Sequence, residues 1–328
     1  MGERQMNQTL PKISIITPSF KQGHFIEETI LSVINQSYPN FEYIIIDGGS
    51  EDNTVDVIKK YEKNITYWVS EKDKGQSEAI NKGLRKATGE IVAWLNSDDM
   101  YTEDALWEVA NYFIKNPDID ILYGNVWECF PSSRERYVNK IFDYKQFLTG
   151  VNLHQPSIFW RKKVHDKMGY LSESLYYTMD YDLWLRLFYN YTSMKTGKIL
   201  SKFRIHEDAK TSNNPNGLYL EYRKSISRFF ISAGFEKYIS KLKELTIYSN
   251  FSEPYTVQYQ FTEKEKKEII EQYIFNCGVQ EYTFGNVGTA HNIFYYCLNT
   301  KYRYQAIAFA LKNIIGLRKI INSKYFKK

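Results

Sequence analysis

Asp98 and Asp99 stand side by side just past an apolar run, Ile91 to Leu95, with Asn96 and Ser97 between. Adjacent carboxylates repel each other and cost stability unless water or a cation neutralises them. A hard divalent cation does so, and oxygen ligands select Mg2+ or Mn2+, typically held by one or two carboxylates together with substrate phosphates. The same pair also suits a solvated turn in which Asp99 caps the next helix, and the two acids alone leave both readings open. Asp47 ends a second apolar run, Phe41 to Ile46, and precedes Gly48 and Gly49, which let a ligand approach closely. An acceptor-only group there suits an imino N–H donor, although Asp-Gly is also a common turn pair. Ser50, Asp52 and Thr54 read as helix caps. Asp180 and Asp182 lie two apart at the start of a helical stretch, so one can face a cleft while the other supports the helix's positive end.

These acids need a frame. From residue 12 the chain alternates short β-rich runs with amphipathic stretches, the pattern of a mostly parallel sheet covered by helices. Strands are expected at Ile13 to Thr17, Phe41 to Ile46, Ile65 to Val69, Ile91 to Leu95, Ile119 to Trp127, Ser157 to Trp160 and Lys198 to Ile205. Helices are expected at Phe25 to Gln36, Thr54 to Lys63, Gln76 to Lys86, Glu103 to Asn116 and Tyr181 to Tyr189. Both acidic clusters then fall at the carboxyl ends of strands, where open α/β sheets bind ligands. After about residue 215 the strands stop and Tyr-rich helical segments follow, with breaks near Gly234, Pro254, Gly285 and Thr300.

Five segments in order carry a resemblance: Pro18-Ser19-Phe20; Asp47-Gly-Gly-Ser-Glu-Asp-Asn-Thr54; Glu71-Lys-Asp-Lys-Gly75 leading to Ala79-Ile-Asn-Lys-Gly83; Leu95-Asn-Ser-Asp-Asp99; and Asp180-Tyr-Asp-Leu-Trp-Leu-Arg186. Over residues 12 to about 212 the chain resembles the family 2 glycosyltransferases, an inverting family of the GT-A fold, of the non-processive bacterial glycan-biosynthesis type. The resemblance implies an α/β, Rossmann-like mixed sheet flanked by helices, with a C-terminal helical appendage. It implies that Pro18, Ser19, Asp47, Asp73, Lys74 and Asp98 bind the nucleotide, Asp47 at the base with Asp73 near it. Asp98 would contact ribose or metal, Asp99 would ligate Mn2+ or Mg2+ on the sugar diphosphate, and Asp180 would be the general base.

Inverting transfer needs one carboxylate to take the acceptor hydroxyl's proton and a positive charge to offset the leaving diphosphate, so the chemistry agrees with these roles. His206 reads as a further metal or diphosphate ligand. His154, Asp182 and Trp184 read as acceptor-side candidates, and Lys74 and Arg204 as groups able to reach phosphate. A purely structural role is the alternative for each histidine. Asn96, Gly48 and Met179 depart from the family pattern, where acids are frequent at the equivalent places. The Gln-x-x-Arg-Trp signature of processive synthases is absent, which implies one sugar per encounter.

The expected organisation is a flexible N-terminus over 1–11, a catalytic domain over 12–215 and a helical region over 216–328. Cys129, Cys277 and Cys297 show no metal or redox spacing, and no apolar run reaches the ~20 residues of a membrane span. A cytoplasmic protein is expected. Of the net charge of +5, the last 28 residues contribute eight Lys or Arg and no acid, leaving the rest at −3. That argues against nucleic acid as a partner and points residues 305–328 at an anionic membrane surface, or else at the helical region itself. The expected partners are a nucleotide-sugar donor, UDP by family weight, and a glycan or lipid-linked glycan acceptor. No Gly-x-Gly-x-x-Gly follows the first strand and no phosphate-loop motif occurs, which disfavours nicotinamide enzymes and phosphate-loop NTPases. A nucleotidyltransferase, or a catalytically silent nucleotide-sugar-binding protein, remains as a rival.

Overall fold

Two strands without a polar face begin the structure. β1 (Ile13–Ser19) and β2 (Phe41–Asp47) pair in parallel, from Ile13 opposite Phe41 to Ser19 opposite Asp47. Both are buried almost throughout, which is why they read as mostly apolar runs, interrupted by Ser14, Thr17 and Ser19 in β1 and by Glu42 and Asp47 in β2. The computed structural model describes residues 9–314 except 151, 152, 208, 211–213 and 252. β3 (Tyr67–Ser70) pairs in parallel with β2, and β4 (Ile91–Trp94) in parallel with β1.

Beyond β4 the direction alternates. β8 (Ile158–Arg161) runs antiparallel to β4 and to β6 (Ile121–Cys129). β9 (Ser193–Arg204) is parallel to β6, while β5 (Met100–Tyr101) and β7 (Glu135–Val138) lie antiparallel to β9 and β6 respectively. The sheet order is β3-β2-β1-β4-β8-β6-β9-β5, with β7 on β6. The sheet is therefore mixed, where the alternating pattern suggested mostly parallel pairing; a four-residue run such as β8 carries no directional signal in its sequence.

Helices cover the sheet with the faces their spacing predicts. α1 (Ile26–Ile34) buries Ile26, Thr29, Ile30 and Val33. α2 (Thr54–Lys60) stops earlier than expected and gives way to a 3-10 turn at Glu62–Asn64. α3 (Gln76–Lys86) lies so close to β1 that a Cβ on Gly83 would stand 2.3 Å from Ile16 Cγ2. α4 (Ala105–Lys115) buries Leu106, Val109 and Phe113. Later come α5 (Tyr144–Phe147) and α6 (Lys162–Met168), both unanticipated, then α7 (Met179–Phe188).

A tryptophan cluster docks α7 on the sheet. Trp184 stacks on Trp94 of β4 with centroids 5.2 Å apart and planes 6° from parallel, and Trp160 of β8 meets both edge-on at 5.7 Å. Such pairs contribute roughly 0.5–1.5 kcal/mol each beyond their buried area. Asp180 lies one turn before Trp184 on the same helix face.

The chain divides into two compact units, Met1–Ile141 with Leu153–Glu221, and Phe142–Asn152 with Tyr222–Lys328. The division falls inside α8 (Pro215–Ser232), and the second unit also takes up α5, which a linear boundary at 215 assigned to the first. The second unit continues with α9 (Glu236–Glu244), α10 (Glu263–Thr283), α11 (Val287–Cys297) and α12 (Arg303–Ile314). Its core is aromatic, with Phe230 meeting Phe235 at 4.9 Å and Tyr273 at 5.2 Å. A Thr262–Glu265 capping box starts α10. Among the described residues no helix is long and apolar enough to cross a membrane. Residues 1–8 of the N-terminal segment and 315–328 of the basic tail lie outside the described residues.

Candidate active site

Because β1 to β4 run parallel, their carboxyl ends share one edge, and the loops there carry the acids. Asp47, fully buried, closes β2. Its Oδ2 accepts from Gly49 N–H (3.1 Å), Ser50 N–H (2.8 Å) and Ser70 Oγ–H (2.6 Å), and its Oδ1 from Ser50 Oγ–H (2.6 Å). A carboxylate offers about four acceptor directions, so this one is filled by its own loop and by the end of β3. In the structure Asp47 thus holds its own loop against the end of β3.

Asp73 is placed differently. Its Oδ1 accepts Gly75 N–H at 2.8 Å, and its Oδ2 lies 2.9 Å from where a Cβ on residue 48 would stand. The Asp-Gly-Gly sequence, a departure from the family pattern, thus leaves Asp73 a place that a side chain at 48 would make it shift from. Burial raises the Asp73 carboxyl above its ordinary range, against the opposing Gly75 N–H and Lys82 charge. Nearby on the β1 side, Ser19 Oγ and Gln22 Oε1 are buried without a hydrogen-bond partner.

At the end of β4, Asp99 is 1 % exposed. Its Oδ1 accepts Arg204 N–H at 2.9 Å, while Oδ2 is buried with no partner. Burial, then the Asp98 charge, pushes its carboxyl well above the ordinary value. His206 Nε2 lies 3.1 Å from Asp98 Oδ2, its Nδ1 is buried and unpartnered, and its ring packs on Phe25 at 4.6 Å. An orphaned carboxylate oxygen beside a second carboxylate and an imidazole fits a divalent cation, which would remove the repulsion and fill the vacant acceptor. Among the described residues no group of three or more His, Cys, Asp or Glu is placed to hold a metal ion, so Asp98, Asp99 and His206 do not form a metal site by themselves.

Asp180 opens α7 partly buried, its carboxylate accepting the N–H of Tyr181 at 2.7 Å and its own backbone N–H. Burial lifts its carboxyl to about 6, with the Lys210 charge opposing. A carboxylate tuned there is ionised at neutral pH yet basic enough to hold a proton, the condition for a general base.

Several expected contacts take other roles. Asp182 is fully buried and pairs with Arg186 (3.1 Å), whose guanidinium also donates to Met168 O and Tyr170 O. Trp184 belongs to the tryptophan cluster. Both are core residues and present no surface to an acceptor. His154 is held at 2.9 Å by Glu128 and against Phe203, and burial lowers it to about 4, a neutral structural histidine. The Arg204 guanidinium turns to Glu28 at 2.9 Å and lies over Phe25. Pro18 is buried in β1, and Lys74 is exposed, with its backbone N–H bound to Glu78.

A chain of amides was not anticipated. Gln155 donates to Trp94 O (2.7 Å), Asn96 to Gln155 (3.2 Å), Gln76 to Asn96 (2.9 Å), and Lys210 Nζ to Gln76 Oε1 (3.3 Å). The partners lie up to 134 positions apart, so no local pattern announces them. Only Asn96, neutral where an acid is frequent, was visible as an oddity.

Comparison with known proteins matches residues 14–172 to the family described as Glycosyl transferase family 2. A Rickettsia typhi protein, the uncharacterized glycosyltransferase RT0329, is 30% identical over 240 residues, 69% of this chain and 73% of that one. The Escherichia coli UDP-Glc:alpha-D-GlcNAc-diphosphoundecaprenol beta-1,3-glucosyltransferase WfgD is 30% identical over 206 residues, 61% of this chain and 80% of its own. Among solved structures, S. aureus TarS 1-349 in complex with UDP-GlcNAc superposes with a TM-score of 0.60 at 16% identity, covering 86% of this chain and 79% of that one. At that identity the likeness speaks for the fold, which is GT-A.

Proposed function

We propose, proceeding from the fact that the chain belongs to glycosyl transferase family 2, that it transfers one sugar with inversion from a UDP-sugar to a hydroxyl of a lipid-linked glycan. The observation that carries this reading is the division of labour at one sheet edge. An unsatisfied Asp98–Asp99–His206 set suits a metal-bound diphosphate, and a carboxyl tuned to about 6 suits a base. WfgD, named for a UDP-glucose donor and a diphosphoundecaprenol-linked acceptor, supports this donor and acceptor class.

In this reading Asp47 shapes the loop, and Asp73 Oδ2, admitted by Gly48, accepts an N–H from the base. Ser19 Oγ and Gln22 Oε1 offer further polar contacts on the same side. Asp98, Asp99 and His206 hold Mn2+ or Mg2+, which when bound supplies positive charge against the diphosphate. Asp180 takes the proton of the acceptor hydroxyl as its oxygen bonds to the anomeric carbon and the bond to the diphosphate oxygen breaks. Attack opposite the leaving group inverts the anomeric centre. The basic segment 305–328 would bring the enzyme to an anionic membrane surface on the cytoplasmic side, where a lipid-linked acceptor resides.

The test is incubation with a panel of UDP-sugars, Mn2+ and a diphosphate-lipid-linked N-acetylglucosamine. UDP release with an inverted glycoside, read by NMR, supports the reading. Release of inorganic pyrophosphate from a nucleoside triphosphate and a sugar phosphate would instead favour nucleotidyl transfer.

A further inference from the structure

The loop that feeds α7 is clamped by a residue from another helix. Glu221 of α8 accepts the backbone N–H groups of Tyr176 (2.9 and 3.0 Å to its two oxygens), Tyr177 (2.5 Å) and Thr178 (3.2 Å), the residues just ahead of Asp180. Over the Tyr176 ring, at 3.6 Å from its centroid, sits the Lys210 ammonium. Lys210 also donates to Gln76, and through Gln76 and Asn96 it is tied to the strand end that carries Asp98 and Asp99. The ammonium therefore bridges the edge that holds the acidic pair and the start of the helix that holds Asp180.

We propose that Lys210 is a positioning residue for the transfer: fixed by Gln76 and the Tyr176 ring, it keeps the Asp180 carboxyl ionised and ready to accept a proton. The inference rests on the reading of Asp180 as the base. The charged groups that bear on Asp180 are few. On its own helix Asp182 pairs with Arg186, and the local donors to Asp180 are the backbone N–H groups of Tyr181 and of Asp180 itself. From outside the helix the opposing charge is Lys210. Lys210 in turn faces Asp180 and Glu221, two carboxylates against one ammonium. Burial nonetheless lowers Lys210 to about 8, so it is charged throughout the range in which Asp180, at about 6, loses its proton. A cation beside a carboxylate favours the charged form, and its removal returns the carboxyl upward, toward the value burial alone would give. No anchoring acid is needed at position 96, because the neutral Asn96 amide completes the tether.

The sign follows directly. Asp180 must be deprotonated to act, so kcat/KM falls as pH drops through the carboxyl's value. With Lys210→Met that acid limb moves to higher pH by about 1 unit, an order set by ordinary charge–carboxylate coupling. At pH 6 the loss is then several-fold greater than at pH 8. The experiment measures the pH profile of kcat/KM for the parent, Lys210→Met and Lys210→Arg, and UDP affinity for each by titration calorimetry in Mn2+. The proposal expects the shifted limb in Lys210→Met, UDP affinity within about twofold of the parent, and restoration by Lys210→Arg, which keeps the charge. An unmoved limb overturns it, whether UDP affinity is unchanged or falls tenfold; in the second case the ammonium serves the diphosphate. Asp180→Asn, assayed in parallel, keeps the two levels apart. Full transfer by that variant sinks the base reading itself, whereas loss of transfer with an unmoved limb in Lys210→Met sinks only the role of Lys210.

Discussion

Glu42, at the opening of β2, and Asp99, past the close of β4, are both buried carboxylates on strands that flank β1, and they are treated in opposite ways. Glu42 receives Lys12 Nζ (2.7 Å), Ser14 Oγ (2.5 Å), Thr88 N–H (2.5 Å) and Thr88 Oγ (2.8 Å). Burial pushes its carboxyl up, but these bonds outweigh burial and hold it at about 2. Asp99 receives one backbone N–H, keeps an orphaned oxygen beside Asp98, and is raised. At the amino end Glu42 is fully bonded and serves stability, whereas at the carboxyl end Asp47 is filled by its own loop and Asp99 alone of the three keeps an oxygen without a partner. A buried carboxylate is thus diagnosed by what it lacks, not by burial.

The largest effect expected from this contrast is on rate. Asp180→Asn should lower kcat by about 10³-fold, within the range for general bases, while leaving UDP affinity in place. In the parent, kcat/KM should rise through about pH 6 as Asp180 ionises. Full activity of the asparagine variant in steady-state assays would remove Asp180 from the chemistry.

Next comes stability at the opposite end. A folded value near 2 against an ordinary 4.5 corresponds to roughly 3 kcal/mol contributed by Glu42. Because the folded value is depressed, that contribution is full above about pH 4.5 and is lost as pH falls toward about 2. Glu42→Ala should therefore lower the urea midpoint clearly at pH 7, whereas Asp99→Asn, at a buried carboxyl with one oxygen unfilled, should hold or raise it. Equal destabilisation by both variants would erase the comparison.

The smallest effect belongs to Gly48→Ala. Its Cβ would press on Asp73 Oδ2 at 2.9 Å, so the carboxylate must shift. A loss of several-fold in UDP affinity, about 1 kcal/mol, is expected with the fold intact. Unchanged affinity would leave Asp73 outside the base contact.

Much of this frame was legible because fully buried strands have no polar face to confuse the pattern. β1, β2, β4 and α3 lie close to their expected bounds, and α3 matches them at both ends. Edge pieces such as β5 and β7 were not legible, since runs of two to four residues are too short to carry a periodicity. The acids at strand ends stood out as charges closing apolar runs. Asp182 was misread although its i,i+4 spacing to Arg186 was available as a warning. Trp184 was misread because a helix face gives no clue to which layer it meets. Lys210 and Glu221 could not be found, because their partners are brought together only by the fold.

If the Asp98–Asp99–His206 edge binds a metal-bridged nucleoside diphosphate, UDP affinity must depend on both the metal and Asp99. Isothermal titration of the full chain and of Asp99→Asn with UDP, in Mn2+ and in EDTA, tests it most directly. The expected result is UDP binding in Mn2+ that weakens at least tenfold in EDTA and is equally weak in Asp99→Asn under either condition. UDP binding of the same strength in all four titrations would contradict it.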